Sequence, residues 1–224
     1  MKTIVVIPAF NEESTIEKVV CDVRTVVSDV VVVDDGSSDS TATHAQRGGA
    51  TVLRHFINRG QGASLKTGIV KALASDADII VTFDADGQHE VSDIEKLIAP
   101  IAHREVDVVL GSRFMNNTTV NIPVLRRVVL KTAVLFSSLV SGLRLTDTHN
   151  GLRAFSRKAA ETLRIRQDRM AHASEILDEI SEKNLPFREV SVTVRYSEYS
   201  KMKGQSSSAF AKILFKYFMG RLLR

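Results

Sequence analysis

Along the first half of the chain, short apolar runs alternate with longer stretches in which apolar residues recur every three or four positions. Thr3–Ile7 is a β-branched run closed by Pro8, and Val30–Val33, Val52–Leu53, Ile79–Phe83 and Val106–Leu110 repeat the type. Short continuous runs of this kind read as strands buried on both faces. Between them the spacing becomes helical. A helix is predicted from about Glu13 to Val27, with Ile16, Val19, Val20, Val23, Val26 and Val27 on its inner face. Others run from the Asn58–Ser64 segment through Ala74 and from about Ser92 to His103. Strands alternating with helices predict an α/β fold, a mostly parallel central sheet flanked by helices.

Beyond Phe114 the pattern changes. Residues 116–121 are polar and predict a loop. From Pro123 to Leu143 apolar residues return at helical spacing, with Arg126, Arg127 and Lys131 among them. Such a helix either packs on the core or lies on a bilayer surface. A strand is expected within Asp147–Phe155, a helix from about Ala173 to Lys183, and a strand over Phe187–Val194 with Val190, Val192 and Val194 on one face. The tail, Ser207–Arg224, combines a wide apolar arc (Phe210, Ile213, Leu214, Tyr217, Phe218, Leu222) with basic residues. The predicted organisation is one α/β domain over 1–205 and a basic amphipathic helix over 206–224.

Composition narrows the class. With 224 residues, 44% hydrophobic and 25% charged, the chain has the make-up of a soluble globular protein with one core. It shows no signal peptide and no run of about 18 apolar residues able to span a bilayer. The single cysteine, Cys21, excludes an internal disulfide and fits a reducing cytoplasm. The net charge of +4 conceals an asymmetry: residues 1–120 carry 11 Lys or Arg against 17 Asp or Glu, and residues 121–224 carry 19 against 9. An acidic half suits a cation site, and a basic half suits an anionic partner such as phosphate, nucleic acid or an anionic membrane.

The segment most suggestive of chemistry is Phe83-Asp84-Ala85-Asp86-Gly87-Gln88-His89. Two carboxylates one residue apart, at the carboxyl end of a predicted parallel strand, stand where open α/β sheets bind ligands. Hard oxygen ligands at one spot suit Mg²⁺ or Mn²⁺, with substrate phosphates completing the shell. Two adjacent acids, Asp34 and Asp35, end the Val30–Val33 strand before Gly36-Ser37-Ser38-Asp39-Ser40-Thr41. Asn58-Arg59-Gly60-Gln61-Gly62-Ala63 opens a helix but lacks the Gly-Lys-Ser/Thr of a P-loop. No Gly-x-Gly-x-x-Gly follows the first strand, which argues against a dinucleotide-binding enzyme.

Five segments occur in order: Pro8-Ala9-Phe10-Asn11-Glu12, Val33-Asp34-Asp35-Gly36-Ser37-x-Asp39-x-Thr41, Asn58-x-Gly60-x-Gly62-Ala63, Asp84-Ala85-Asp86-Gly87-Gln88-His89 and Gly111-Ser112-Arg113. Together, across roughly residues 1–205, they resemble the family 2 inverting glycosyltransferases of the GT-A fold, and within them the dolichol-phosphate mannose synthase branch of polyprenyl-phosphate glycosyltransferases. The resemblance implies that Pro8, Ala9, Glu12, Val33, Asp34 and Asp35 line the nucleoside pocket, with Ala85 and Lys201 also on the donor. It implies that Asp84, Asp86 and Gln88 hold the metal on the donor diphosphate, and that Arg113 contacts phosphate. Asp147, Gly151 and Arg153 match the acceptor-side motif, and Lys201 the loop that covers the diphosphate. Gln61 stands where the family often has Lys. No Gln-x-x-Arg-Trp motif is present and the chain has no Trp, which speaks against a processive polysaccharide synthase.

The implied activity is metal-dependent transfer of a sugar from a GDP- or UDP-linked donor to a polyprenyl or dolichyl phosphate, at the cytoplasmic face of a membrane that the protein contacts peripherally. A glycan hydroxyl is the alternative acceptor, and a nucleotidyltransferase would share the nucleotide-binding sheet. A lipid phosphate is already ionised and needs no base, whereas a hydroxyl needs one, for which Asp147 and Glu175 are candidates beside Asp86 and Arg113 as catalytic groups. A nucleic-acid binder is disfavoured, because no nucleic-acid motif is recognised and paired acids repel phosphate without a metal.

Overall fold

The computed structural model describes residues 1–115, 134, 143, 145–148 and 150–195. The elements run β1 (Thr3–Ala9), α1 (Ile16–Arg24), β2 (Asp29–Asp34), α2 (Thr41–Arg47), β3 (Thr51–Arg54), α3 (Gln61–Ala74), β4 (Ile79–Thr82), α4 (Asp93–Ala102) and β5 (Val108–Ser112). They continue with β6 (Arg153–Ser156), α5 (Arg157–Thr162), α6 (His172–Glu182) and β7 (Phe187–Ser191). The expected helix at 123–143, the 116–121 loop, the tail, Lys201 and the 205/206 boundary lie outside the described residues.

The strands form one seven-stranded sheet in the order β3-β2-β1-β4-β6-β5-β7. β1 pairs in parallel with β2 and β4, β2 with β3, and β5 with β7, while β6 runs antiparallel between β4 and β5. The mostly parallel α/β sheet expected from the sequence is therefore present, with one reversed strand, β6, inside it. β1 and β4 are buried on both faces, which is why they read as unbroken apolar runs. Successive residues of β1 feed opposite cores. Val5, Ile7 and Ala9 join Ile16, Val19, Val20 and Val23 of α1 with Ile94, Leu97 and Ile101 of α4. Ile4 and Val6 join Leu65, Ile69 and Ala72 of α3 with Ile176, Leu177 and Ile180 of α6. α3 lies so near the sheet that a Cβ on Gly68 would fall 2.2 Å from Val6 Cγ1.

Several predicted boundaries move. α1 is shorter than Glu13–Val27 because residues 12–15 form a turn, with Thr15 N and Ile16 N donating to Glu12 O. β7 stops at Ser191, where its partner β5 ends at Ser112. The chain then crosses to the Asp84–His89 segment, with Val194 bridging His89 and Arg195 N donating to Gln88 O. The Val192 and Val194 side chains remain buried as expected. α5 was not anticipated; it is one short segment capped by Ser156, whose hydroxyl accepts from Ala159 N.

Candidate active site

The parallel strands β1, β2 and β4 deliver Ala9, Asp34–Asp35 and Asp84 to the same carboxyl edge of the sheet. The loops at that edge are tied together. Asn11 N donates to Ser37 Oγ, Glu12 N to Thr41 Oγ1 and Glu13 N to Asp39 Oδ2, while Ser40 N returns a bond to Glu13 Oε2 and Ser38 N one to Asn11 Oδ1. Asn11 takes φ 53 to make this turn, a conformation asparagine tolerates. Burial opposes ionisation of Asp39, but bonds from Thr41 and the Glu13 backbone outweigh it and hold the carboxyl below its usual range. The β1–α1 and β2–α2 loops thus form one cross-linked wall.

The two acids at the end of β2 have separate tasks. Asp34 Oδ1 accepts from Ser37 N, and Arg54 Nε lies 3.1 Å from Asp34 Oδ2. Asp35 Oδ1 accepts from His55 Nδ1 at 2.7 Å and from Arg59 N, and its Oδ2 accepts from Gly60 N at 2.6 Å. His55 Nε2 in turn meets Thr67 Oγ1 of α3 at 3.0 Å. Asp35 therefore fixes the β3–α3 loop, which the sequence offered no means of reading.

Asp84 and Asp86 follow β4, and Gly87 turns the chain with φ 72. Asp84 Oδ1 accepts from Gln61 Nε2 at 3.1 Å, and Asp84 Oδ2 from His89 Nε2 at 3.0 Å. His89 is held edge-on to Phe83, ring centroids 5.5 Å apart. Burial works against ionisation of Asp84, but the bond from His89 and the charges of His89, His172 and Arg153 outweigh it, so its pKa lies below the ordinary value. Asp86 behaves oppositely: burial, then the charge of Asp84, push its pKa up to about 6. Its carboxylate accepts from the Gln88 backbone at 3.0 Å and from Gln88 Nε2 at 2.7 Å.

This donor set fits a hard divalent cation. Two crowded carboxylates disfavour each other's charge, and a cation between them removes that penalty. Among the described residues no group of three or more His, Cys, Asp and Glu converges. Two carboxylates with a neighbouring amide oxygen is the sparse protein set that Mg²⁺ takes when phosphates and water complete the shell.

Most of the remaining predicted residues come from the end of β5, the 145–153 segment and α6, and Gly151 among them meets Asp84. Gly151 packs against it, so that a Cβ there would lie 2.4 Å from Asp84 Oδ2, and Gly151 O accepts from Thr82 Oγ1. Arg113 and Asp147 form a buried two-pronged pair, Nε to Oδ2 at 2.7 Å and Nη2 to Oδ1 at 2.9 Å. Arg153 is buried, and its guanidinium donates to the carbonyls of Asn150, Thr148 and Ala173. Burial lowers its pKa to about 10, against the pull of Asp147 and Asp84, so it stays charged at neutral pH. Glu175 Oε2 accepts from Arg166 N and Gln167 N. The two acids considered as bases are thus engaged, one by a guanidinium and one by backbone N–H groups. Pro8 and Ala9 sit in β1 beside Val33 and Asp34 of β2.

Four contributors went unread in the sequence. His89 was visible only as part of its motif. His172, whose Nδ1 donates to Arg169 O and whose pKa burial drives down to about 4, carried no signal. Neither did His55. Glu189, on β7, accepts from Thr146 N, Thr146 Oγ1 and Asp147 N, anchoring the loop that carries Asp147. Burial leads the causes that raise its pKa.

Paired acids at the carboxyl edge of a mostly parallel sheet stand where open α/β sheets bind ligands, and the family comparison gives the class. Residues 4–164 match the Glycosyl transferase family 2 model, and the chain belongs to that family. It is 39% identical over 222 residues to an uncharacterised protein of Methanocaldococcus jannaschii, covering 97% of this chain and 91% of that one. It is 34% identical over 235 residues to the UDP-N-acetylglucosamine–dolichyl-phosphate N-acetylglucosaminyltransferase of Methanococcus voltae, covering 96% and 94%. The undecaprenyl-phosphate mannosyltransferase of Micrococcus luteus is 33% identical over 73% of this chain and 69% of its own. In fold, the chain superimposes on the crystal structure of Mycobacterium tuberculosis glucosyl-3-phosphoglycerate synthase with a TM-score of 0.72 at 22% identity, covering 93% of this chain and 74% of that one. A complex of that enzyme holding Mn²⁺, UDP-glucose and phosphoglyceric acid gives 0.71 at 21% identity, covering 94% and 74%. The protein is a GT-A-fold glycosyltransferase. No helix among the described residues is long and apolar enough to cross a membrane.

Proposed function

We propose that this enzyme transfers a sugar, with inversion, from a UDP- or GDP-linked donor to the phosphate of a polyprenol or dolichol. The nucleoside lies along Pro8, Ala9, Glu12, Val33 and Asp34, with Asp35 shaping the pocket through the 55–60 loop. Asp84, Asp86 and Gln88 hold Mg²⁺ or Mn²⁺, and that cation, when bound, neutralises charge building on the departing diphosphate. Lys201 on the diphosphate and a basic 206–224 segment on the cytoplasmic face of the membrane are parts of this proposal that lie outside the described residues. An acceptor phosphate oxygen forms the new bond to the anomeric carbon as the bond to the donor β-phosphate breaks, releasing a nucleoside diphosphate. No proton has to move, because the attacking phosphate is already an anion.

The observation that carries the acceptor assignment is the engagement of both candidate bases. Asp147 spends both oxygens on Arg113, and Glu175 Oε2 holds two backbone N–H groups, which supports an acceptor that needs no base. The Methanococcus and Micrococcus relatives, named for dolichyl and undecaprenyl phosphate, support the same reading. A thermal-shift panel of sugar nucleotides with and without Mn²⁺ tests the donor side, since a ligand stabilises by mass action. A shift from one donor, dependent on the metal, is the expected result; equal silence across the panel refutes it.

A further inference from the structure

The β3–α3 loop carries two consecutive apolar side chains into solvent. Phe56 is fully exposed and Ile57 is 71% exposed. Large apolar groups are seldom left side by side in water without a partner. This tip is not a loose end. Asp35 clamps it through His55, Arg59 and Gly60, and Gly36 packs so closely beneath it that a Cβ there would lie 2.8 Å from the Ile57 carbonyl carbon.

Around the tip the surface is basic. Arg54 and Arg59 flank it in sequence and are exposed. The 163–171 segment packs against the same loop: Ala63 N donates to Asp168 O, Arg59 Nη2 lies 3.3 Å from Asp168 Oδ2, and a Cβ on Gly60 would meet Arg169 Cγ at 2.8 Å. That segment adds Arg164, Arg166 and Arg169, all exposed and none in an ion pair among the described residues. Its backbone is pinned, with Glu179 accepting from Arg164 N and Glu175 from Arg166 N and Gln167 N. Arg54 and Arg59 are paired with Asp34 and Asp168, so the charge not neutralised within the protein comes from the 164–169 arginines.

We infer that this apolar tip with its arginine rim is a membrane-docking surface for an anionic bilayer. Phe56 and Ile57 enter the headgroup–acyl boundary, and Arg169, against Gly60, with Arg166 next along the segment, meets lipid phosphates. The charge complementarity selects lipid over a neutral apolar partner. The surface stands at the carboxyl edge of the sheet, the edge that carries Asp84 and Asp86, so docking turns the active-site mouth toward the leaflet. This role rests on the lipid-acceptor reading for its purpose, but its test does not depend on catalysis.

Because the chain contains no tryptophan, Phe56→Trp creates a single reporter of nearly unchanged bulk. The full chain carrying it is mixed with vesicles of phosphatidylglycerol and phosphatidylcholine, and with vesicles of phosphatidylcholine alone. The expected result is a blue shift, and quenching by bromine-labelled acyl chains, with the anionic vesicles only. In the native background, Phe56→Ser with Ile57→Ser weakens vesicle affinity about tenfold or more. Each of Arg166→Gln and Arg169→Gln weakens it about fivefold. Transfer to a short, water-soluble polyprenyl phosphate stays at the native level in Arg166→Gln and Arg169→Gln. Three results overturn the inference: no vesicle binding, a tryptophan that remains in water while the protein is bound, or a serine variant that binds as tightly as the native chain. Failure of transfer to the short acceptor, with tip insertion intact, counts against the acceptor reading instead.

Discussion

Gly151→Ala is the smallest change that separates the proposed metal site from the fold around it. A methyl group at this position would lie 2.4 Å from Asp84 Oδ2, 2.5 Å from Oδ1 and 2.7 Å from Cγ, where ordinary contact is 3.4–4 Å. The backbone at 151 is tied to Thr82 by a 2.6 Å hydrogen bond, so the carboxylate has to give way by about 1 Å. Moving it breaks or stretches its bonds from Gln61 and His89, each about 1.5–3 kcal/mol as a hydrogen bond to a charged group. Asp84 recovers part of this by rotating toward water, so the net loss of stability is about 1–3 kcal/mol. Metal-dependent affinity falls further, about 10–100-fold, as when the supporting contacts of a metal ligand are removed. Calorimetric titration of the nucleoside diphosphate, in Mn²⁺ and in chelator, measures this directly. Native metal-dependent affinity in Gly151→Ala, with the protein folded, would falsify the placement of Asp84 in the metal site.

Other outcomes follow from the same geometry. Asp86→Asn abolishes turnover yet stabilises the metal-free protein above about pH 6, because a carboxyl whose folded pKa is raised gives stability that is lost as pH climbs through that value; the effect is at most about 3 kcal/mol and denaturant unfolding in chelator reads it. His172 is the converse case: with its folded pKa near 4 and an ordinary value of 6.5, the unfolded chain binds the extra proton, so stability present above pH 6.5 drains away as pH falls toward 4. His172→Gln flattens that slope, and a variant as pH-dependent as the native protein counts against it. Arg153→Lys loses the fork of bonds to the Thr148, Asn150 and Ala173 carbonyls and costs about 2–4 kcal/mol, read as a drop in Tm. A Tm unchanged by that substitution rules out the bracing role.

Much of the sheet was legible because β1, β2, β4 and β5 are buried on both faces, and burial on both faces writes itself as unbroken apolar sequence. The paired acids were legible for a related reason: the end of such a run marks the edge of the sheet. The direction of β6 was not, since Arg153–Ser156 looks the same whichever way it runs, and its place between β4 and β5 is decided by pairing with distant strands. Partnerships were equally hidden. Asp35 and His55 are 20 residues apart, and Arg113 and Asp147 are 34 apart. Sequence marks each as a charged residue beside a strand; only folding shows that Asp35 clamps a loop and that Asp147 is matched to Arg113. Arg153 was expected on the acceptor side, and sequence carries no sign that its guanidinium also donates to the Thr148, Asn150 and Ala173 carbonyls.

Sugar transfer to a lipid phosphate at a metal held by Asp84 and Asp86 leaves a product that can be weighed. The most direct measurement is mass spectrometry of the products formed from a nucleotide sugar, a short polyprenyl phosphate and Mn²⁺, comparing the native chain with Asp86→Asn. The expected products are a polyprenyl phosphosugar of inverted anomeric configuration and one nucleoside diphosphate released per transfer, with neither formed by the variant or in chelator. A sugar that appears only on a glycan hydroxyl, release of inorganic diphosphate, or full transfer by Asp86→Asn would contradict it.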